Sequence, residues 1–178
     1  MKIYIIRHGH TKYNELGKTN GQTIEDPLSE KGIEQAQNAI ALLPQDIELI
    51  FTSDLLRTRQ TTEILNSQLK LPVIETSALR EIHLGSLTGL SWQEMNEKVG
   101  RDILSEYKAQ NYSFVPWEGE SFEMFKNRVS SFLEGIKTHH SNKKVLLVAH
   151  GGVVRLLNFV YNNKIGQETV PNLAVHEL

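Results

Sequence analysis

Residues 3–11 read Ile3-Tyr4-Ile5-Ile6-Arg7-His8-Gly9-His10-Thr11, so that an apolar run ends at a histidine preceded by an arginine. A strand of this composition is typical of the buried centre of a parallel sheet. Open α/β sheets bind their ligands beyond the carboxyl ends of the strands. We therefore expect His8 to lie at the ligand-binding edge of such a sheet.

The same pattern occurs again near the other end of the chain. A second apolar run, residues 145–149, ends at His150, which is followed by two glycines and a helical pattern that carries Arg155. If the two runs form adjacent strands, they bring the two imidazoles together. One histidine after a strand is commonly structural, but two, each followed by glycine and accompanied by arginine, favour a catalytic site.

The spacing of apolar residues predicts strands that alternate with helices, which is the pattern of a layered α/β domain. We predict strands over residues 3–6, 47–51, 71–74 and 145–149. We predict helices over residues 29–43, 55–69, 91–107 and 121–137, the second of them capped from residues 52–54. The aromatic residues of the last two helices share a face with aliphatic residues, which indicates core packing.

The composition is that of a compact globular protein and limits the available chemistry. The 178 residues carry a formal net charge of -2 and no cysteine. The absence of cysteine excludes disulfides, thiol nucleophiles and cysteine-based metal centres. No stretch approaches the ~20 apolar residues of a membrane helix, and the charge gives no general attraction to nucleic acid or anionic membranes. We expect a single cytoplasmic domain over residues 1–178, with neither nucleic acid nor a membrane as partner.

Short motifs occur in a fixed order between the two histidines. They are Arg7-His8-Gly9 with Thr11 and Asn14, Gly21, Asp26-Pro27-Leu28-Ser29, Gly32 with Gln35-Ala36, Ser53-Asp54-Leu55 with Arg57-Thr58 and Gln60-Thr61, Leu79-Arg80-Glu81 with Gly85 and Gly89, Gly119-Glu120-Ser121, and His150-Gly151-Gly152. In this order they resemble the histidine phosphatase superfamily, also called phosphoglycerate mutase-like. The resemblance implies a three-layer α/β/α sandwich with a mostly parallel central sheet, and an enzyme that acts on phosphoryl groups with neither a cofactor nor a metal ion. It also allows a homodimer.

Phosphoryl transfer requires a nucleophile, positive charge on the phosphoryl oxygens and an acid for the leaving oxygen. Neutral imidazole is nucleophilic and forms a phosphoramidate that water can cleave, and we assign this role to His8. Arg7 and Arg57 are expected to bind the phosphoryl oxygens in bidentate fashion. The resemblance implies that His150 donates a hydrogen bond to the same oxygens and that Glu81 is the proton donor.

Further residues are expected to line the substrate site: His10, Thr11, Asn14, Asn20, Gly21 and Gly151. Some positions depart from the family pattern, among them His10 where glutamate is common, Lys18 where arginine is common and Asn20 where glutamine is common. None belongs to the catalytic set, so these departures bear on the identity of the substrate rather than on the phosphoryl chemistry. His83 and Glu120 are further candidates for the proton donor.

Three alternatives stay open at this point. His8 and His10, with His150 and an aspartate, also resemble the metal-binding entry of metal-dependent hydrolases. A phosphate-binding module without turnover would keep the same residues. Within the superfamily, the mutases carry a longer insertion between the acid segment and the second histidine than the about seventy residues present in this chain. We therefore favour a phosphomonoesterase that acts on a small phosphorylated metabolite, such as an alkyl or sugar phosphate.

Overall fold

The computed structural model describes residues 1–162 and 170–178 and contains one five-stranded sheet. Its strands are β1 (Lys2–Arg7), β2 (Leu49–Ser53), β3 (Val73–Thr76), β4 (Lys144–Ala149) and β5 (His176–Glu177). They lie in the order β3-β2-β4-β1-β5. All neighbouring strands are parallel except β1 and β5, which pair in antiparallel fashion. The predicted α/β fold with a mostly parallel sheet is confirmed.

The unbroken apolar sequence of β1 explains its place inside the sheet. Ile3 and Ile5 pack into the core on one face, whereas Tyr4 and Ile6 pack into the core on the other. Successive side chains of a strand point to opposite faces, so a strand covered on both sides requires an apolar residue at every position. The sequence of β4 satisfies the same requirement, and all of Val145–Ala149 is buried.

Helices cover both faces of the sheet. They are α1 (Lys12–Glu15), α2 (Glu30–Ala39), α3 (Leu56–Leu69), α4 (Trp92–Val99), α5 (Ile103–Lys108), α6 (Phe122–His139) and α7 (Gly151–Asn162). Buried residues of α2 and α3 share one core cluster with β1 and β4, and buried residues of α4 to α7 share the cluster on the opposite face. The result is an α/β/α arrangement of three layers. Within the part of the chain described, no helix has the length and apolar character needed to cross a membrane.

The predicted helix over residues 91–107 is in fact two helices, α4 and α5. Gly100 ends α4 in the left-handed conformation, with φ of 73°. Asp102 then begins α5 by accepting a hydrogen bond from the backbone amide of Ser105. Helices commonly end at a glycine in this conformation. Gly100 therefore indicates the end of α4, although the apolar stripe continues across it into α5.

Other boundaries differ from the predictions by a few residues. The strands predicted over 47–51 and 71–74 each lie two residues further along the chain, and α2 ends at Ala39, where a 3-10 turn over Ile40–Leu42 follows. Residues 52–54 do not cap α3, because the N-cap residue is Leu55, which makes no side-chain capping bond. The strand β5 was not predicted, since two residues are too few to show a period.

The strand register brings the two histidines of the sequence patterns together. Arg7 pairs with Ala149 at the ends of β1 and β4. The next residue, His8, donates its backbone N–H to the carbonyl of Ala149 at 2.9 Å. The adjacent strand β2 ends at Ser53, at the same edge of the sheet. The last residues of three parallel strands therefore lie together at one edge of the sheet, which is where open α/β sheets bind ligands.

Candidate active site

One ring nitrogen of His8 contacts the backbone carbonyl of the next residue, Gly9, and the other faces Arg57. The Nδ1 atom lies 2.7 Å from the carbonyl oxygen of Gly9, an acceptor, so Nδ1 carries the proton and donates. The other nitrogen, Nε2, is left with its lone pair and accepts a hydrogen bond from Nε of Arg57 at 3.3 Å. Only 3% of His8 is exposed. This tautomer presents the nucleophilic nitrogen and not the N–H.

Burial and nearby positive charge keep His8 neutral. Burial is the larger cause, and the guanidinium groups of Arg57 and Arg7 add to it, so the pKa of His8 lies well below its usual value. The pKa of His150 is lowered well below its usual value in the same way, by burial first and then by Arg57. Both imidazoles are therefore uncharged at neutral pH, and a neutral imidazole is the form that can attack phosphorus.

Arg57 lies in the first turn of α3 and is 1% exposed. Besides its contact with His8, its guanidinium donates to the carbonyl of Gly21 at 2.9 Å and to that of Ile24 at 3.4 Å. Burial lowers the pKa of Arg57 to about 10, which still leaves the group charged at neutral pH. A buried, fixed cation beside the Nε2 atom of His8 is suited to bind an anion there.

Arg7 is held by the C-terminal segment of the chain. Its guanidinium donates to the carbonyl of Val170 at 2.7 Å, and its backbone carbonyl accepts from the amide of Leu173 at 3.0 Å. The Nε atom of Arg7 is buried without a hydrogen-bond partner among the described residues. Burial lowers the pKa of this group as well. In the same segment Asn172 donates to the carbonyl of His8 at 2.6 Å.

His150 lies directly beside His8 beneath the cavity. The two ring centroids are 5.3 Å apart, with an angle of 62° between the ring planes. The Nε2 atom of His150 is 2.9 Å from the hydroxyl oxygen of Ser53, at the end of β2. Its Nδ1 atom has no partner among the residues that the structure describes, and the side chain is fully buried. Nδ1 is therefore an unsatisfied polar atom next to His8, beneath the cavity.

The carboxyl group of Glu81 lies at the N-terminus of α7. One oxygen accepts from the backbone amide of Gly152 at 3.0 Å, and the other accepts from the amide of Ile82 at 2.9 Å. A Cβ atom on Gly152 would lie 2.1 Å from Glu81 Oε1 and 3.0 Å from the hydroxyl of Tyr107. Glycine is thus required at 152 for Glu81 to occupy this position.

A cavity of about 500 Å³ opens over these groups. Most of the residues predicted for the site line it: Arg7, His8, His10, Asn14, Asn20, Gly21, Arg57, Glu81 and Gly151. Thr11 and His150 do not. His150 lies below the floor, and Thr11 is a fully buried N-cap of α1 whose hydroxyl oxygen accepts from the Asn14 amide and from the Asn20 side chain at 3.4 Å.

The cavity is also lined by residues that were not among those predicted for the site. Tyr107 and Trp92, predicted as core, pack together at a ring distance of 4.8 Å and line the wall. Lys18 and Arg155 line it too, and the guanidinium of Arg155 lies 5.5 Å from the Tyr107 ring centre. Val170, Pro171 and Asn172 are further lining residues that sequence reasoning missed. The helical stripe had indicated only burial for Tyr107, and no periodicity marks residues 170–172.

Charge makes the cavity suited to an anion. Among the described residues, its lining contains three arginines and one lysine against a single carboxylate, that of Glu81. The rings of His8 and His10 have different partners. The ring of His10 lies 2.9 Å from the Ser29 hydroxyl, whereas the ring of His8 contacts Gly9 and Arg57. Among residues 1–162 and 170–178, no three side chains of His, Cys, Asp or Glu are grouped as metal ligands. His83 and Glu120 are not part of the lining.

Comparison with known proteins extends this picture. Residues 3–176 match the model of the histidine phosphatase superfamily (branch 1). The chain is 36% identical over 159 residues to a metal-independent phosphoserine phosphatase of Arabidopsis thaliana, an alignment that covers 88% of this chain and 66% of that protein. It is 33% identical over 166 residues to the adenosylcobalamin/alpha-ribazole phosphatase of Escherichia coli (strain K12), covering 88% and 77%. The chain thus spans just under two thirds of the phosphoserine phosphatase.

Solved structures with the same fold include phosphatases and a mutase. A mycobacterial glucosyl-3-phosphoglycerate phosphatase in complex with VO3 superimposes with a TM-score of 0.85 at 26% identity, covering 99% of this chain and 91% of that chain. A phosphoglycerate mutase from Thermus thermophilus superimposes with a TM-score of 0.82 at 30% identity, covering 100% and 92%. The fold is therefore shared by proteins named for two different phosphoryl reactions.

Proposed function

The chain belongs to the histidine phosphatase superfamily, and from this premise we propose that it is a phosphomonoesterase that hydrolyses a small phosphorylated metabolite through a phosphohistidine on His8. The observation that carries the proposal is the contact of 2.7 Å between Nδ1 of His8 and the carbonyl oxygen of Gly9. It favours the tautomer with the proton on Nδ1, which leaves the lone pair of the ring on Nε2, beside Arg57.

In the first step, Nε2 of His8 attacks phosphorus while the bond from phosphorus to the leaving oxygen breaks. Arg57 and Arg7 compensate charge on the remaining phosphoryl oxygens, and His150 donates to them from Nδ1. Glu81 gives its proton to the leaving oxygen, so that an alcohol departs and a carboxylate stays behind. Each carboxyl oxygen accepts a hydrogen bond from one backbone N–H and keeps a second lone pair, which can hold this proton.

In the second step, water cleaves the bond between phosphorus and nitrogen. The Glu81 carboxylate takes a proton from the attacking water, and inorganic phosphate leaves with His8 neutral again. Positive charge from arginine supports both steps, so we propose that neither a metal ion nor a cofactor takes part. The cavity volume of about 500 Å³ is suited to a small-molecule substrate.

Phosphatase rather than mutase activity is supported by two relatives named as phosphatases. Only about seventy residues separate Glu81 from His150, so no long insertion there covers the cavity and water has access to a phosphohistidine. A solved phosphoglycerate mutase of nearly this length shares the fold, so chain length by itself does not decide between the two activities. A panel of phosphomonoesters, assayed with and without a bisphosphoglycerate, tests this point. We expect release of inorganic phosphate without the bisphosphate, and transfer that depends on it would instead identify a mutase.

The nucleophile is tested by trapping. After incubation with a radiolabelled phosphomonoester and denaturation without acid, we expect label that is labile to acid, stable to base and located on His8. A phosphoryl bond to imidazole nitrogen has this stability, and a bond to a hydroxyl does not. The matched variant is His8→Ala, which should carry no label. Label that persists in His8→Ala would show that another residue is the nucleophile.

The role of Glu81 is tested with two leaving groups. In Glu81→Gln, formation of the phosphoenzyme from an alkyl phosphate should slow by roughly the 10²–10⁴ typical of general acid catalysis. Formation from nitrophenyl phosphate should slow much less, because that leaving group departs without a proton. Rapid-mixing experiments should show a burst of nitrophenol followed by slow turnover. Equal slowing for the two esters would mean that Glu81 is not the acid.

A further inference from the structure

The segment that carries Glu81 has no regular secondary structure. It lies between two short 3-10 turns, Ser77–Leu79 and Gly85–Leu87. A strand or helix would fix the backbone of residues 80–84 through its own hydrogen bonds, but here that support is absent. Side chains from elsewhere in the chain must hold the segment if the Glu81 carboxyl group is to keep a fixed position.

Arg128 of α6 supplies most of that support. Its Nη1 atom donates to the carbonyl of Ala78 at 2.9 Å and to that of Arg80 at 3.1 Å. Its Nη2 atom donates to the carbonyl of Glu81 itself at 3.3 Å. The carbonyl of Glu81 also accepts from the side-chain amide of Gln22 at 2.8 Å. One guanidinium thus contacts the backbone just before the proposed acid and the carbonyl of that residue itself.

Glu120 holds Arg128 in place and contacts the other end of the segment. Its two oxygens each accept from Arg128 at 2.9 Å, one from Nε and one from Nη2. The second oxygen also accepts from the backbone amide of His83 at 2.9 Å, and the amide of Glu120 donates to the His83 carbonyl at 2.8 Å. The two side chains are 22% and 15% exposed, which makes this the least exposed ion pair among the described residues.

We propose that Arg128, held by Glu120, is a positioning residue for proton transfer by Glu81, acting through the backbone of residues 78–83. The inference rests on the proposed function, since it requires Glu81 to be the acid. The carboxyl group accepts a hydrogen bond from the amide of Gly152. The backbone of Glu81, to which the side chain is attached, is held by the hydrogen bond from Arg128 to its carbonyl. Neither Arg128 nor Glu120 lines the cavity, so neither touches the substrate.

The guanidinium group is needed for its shape as well as its charge. Five N–H donors in one plane let Arg128 bind a carboxylate and several carbonyls at once, whereas lysine offers three donors from a single atom. The guanidinium carbon also lies 5.1 Å from the ring centre of Phe125. Methionine at this position keeps an apolar side chain of similar length against that ring and removes every donor. Arg128→Met therefore separates the hydrogen bonds from the packing.

The test compares two esters in Arg128→Met. Displacement of the acid by a fraction of an ångström slows reactions that need its proton, so kcat/KM for an alkyl phosphate should fall by about 10- to 100-fold. For nitrophenyl phosphate kcat/KM should change by less than about threefold, because this leaving group needs no proton. Arg128→Lys should show the same selectivity to a smaller degree. General loss of folding lowers both rates equally and cannot produce this selectivity.

A matched control and a second variant complete the design. Arg101 forms an ion pair with Glu106 at 2.9 Å and contacts the Trp117 ring, away from the cavity, so Arg101→Met should leave both esters unaffected. Glu120→Gln keeps the side-chain volume but replaces one oxygen by an N–H₂ group, which cannot accept the hydrogen bond that Arg128 donates. It should reproduce the selectivity of Arg128→Met, and it serves as the test if Arg128→Met does not fold.

The outcomes separate the inference from the function it rests on. If Glu81→Gln is selective for the alkyl ester while Arg128→Met and Glu120→Gln slow both esters equally or neither, the positioning role is overturned and the acid assignment stands. If Glu81→Gln itself shows no selectivity, the acid assignment fails and the positioning role fails with it. In the double variant of Glu81→Gln and Arg128→Met, no further selective loss is expected, because both changes remove the same proton transfer.

Discussion

The hydroxyl oxygen of Ser53 lies 2.9 Å from Nε2 of His150, across the ends of two neighbouring parallel strands. The same oxygen accepts from the backbone amide of Leu55 at 3.4 Å, and its own proton can be donated to Nε2. When it is, the proton of the imidazole ring lies on Nδ1, the nitrogen left without a partner among the described residues. Ser53 thereby favours the tautomer of His150 that the proposed reaction requires.

We expect Ser53→Ala to lower kcat/KM by about fivefold, the equivalent of one net hydrogen bond of about 1 kcal/mol. The serine is fully buried and alanine fits its volume, so the protein should remain folded. Ser67→Ala, which removes an exposed hydroxyl on α3, is the matched control and should have no effect. A Ser53→Ala enzyme with unchanged kcat/KM would show that the tautomer of His150 is fixed by other means.

Gly152→Ala should remove most of the activity. The new Cβ atom would lie 2.1 Å from Glu81 Oε1, so the carboxyl group must leave its position. We expect kcat for an alkyl phosphate to fall by at least about 10², the lower range for loss of a general acid. Gly135→Ala in α6 is the control, because nothing lies within 4 Å of its Cβ position. It should keep full activity and gain roughly 0.5–1 kcal/mol of stability in urea unfolding.

Arg57→Ala should cost about 10² to 10³ in kcat/KM, the loss typical of removing one group that stabilises charge in the transition state. Arg59→Ala should change kcat/KM by less than about twofold. Both residues lie in the first turns of α3, but Arg57 is buried beside His8 and Arg59 is exposed. Circular dichroism checks that both variants fold. Comparable losses in the two variants would contradict the assignment of the phosphate site to Arg57.

Stability should fall in acid because His8 and His150 are buried in the neutral form. Their pKa values in the folded protein lie below the unfolded value of about 6.5, so the unfolded chain binds more protons between the two values. The free energy of unfolding therefore decreases as the pH falls below about 6.5, by up to about 1.4 kcal/mol per pH unit for each histidine. Above that pH the stability contribution is complete.

The variant His8→Gln isolates one of these contributions. In urea unfolding between pH 7.5 and 5, wild type should lose more stability than His8→Gln, since glutamine does not titrate. The difference between the two proteins cancels the effects of histidines that do not contact His8, and it includes the interaction of His8 with His150. Equal losses in the two proteins would mean that His8 is protonated with an ordinary pKa in the folded state.

Activity should survive exhaustive chelation and be inhibited by vanadate. The cations over the cavity are arginines and a lysine, and the described residues offer no cluster of metal ligands. Vanadate adopts a trigonal bipyramidal geometry that matches phosphoryl transfer, and its inhibition should weaken in Arg57→Ala. Loss of activity on chelation, with recovery on addition of zinc or manganese, would instead support the metal-dependent alternative.

The sequence was sufficient to locate the edge of the sheet where the site lies. Two apolar runs that each end at a histidine predict two buried parallel strands, and the register of Arg7 with Ala149 places those histidines side by side. The role of Ser53 could not be read in the same way. Its position after a strand and before a helix is typical of a capping residue, whereas its hydroxyl bonds His150 instead.

Contacts between distant segments were the part that sequence patterns could not supply. The bond from Asn172 to the carbonyl of His8 spans 164 positions, and residues 170–172 have no helical or strand period. Arg128 and Glu81 are joined across 47 positions in the same way. Periodicity reports which face of an element is apolar, and it carries no information about which polar side chain meets which backbone carbonyl.

The hydrogen bond between Asn172 and His8 joins a residue that is synthesised late to one that is synthesised early. His8 leaves the ribosome 164 positions ahead of Asn172, the residue that fixes its carbonyl, and Val170, which holds the Arg7 guanidinium, is made equally late. The strands β4 and β5 that flank β1 also follow far behind it in the chain. While the intervening residues are being translated, the nascent chain carries the imidazole of His8 without the contacts that surround it in the folded protein.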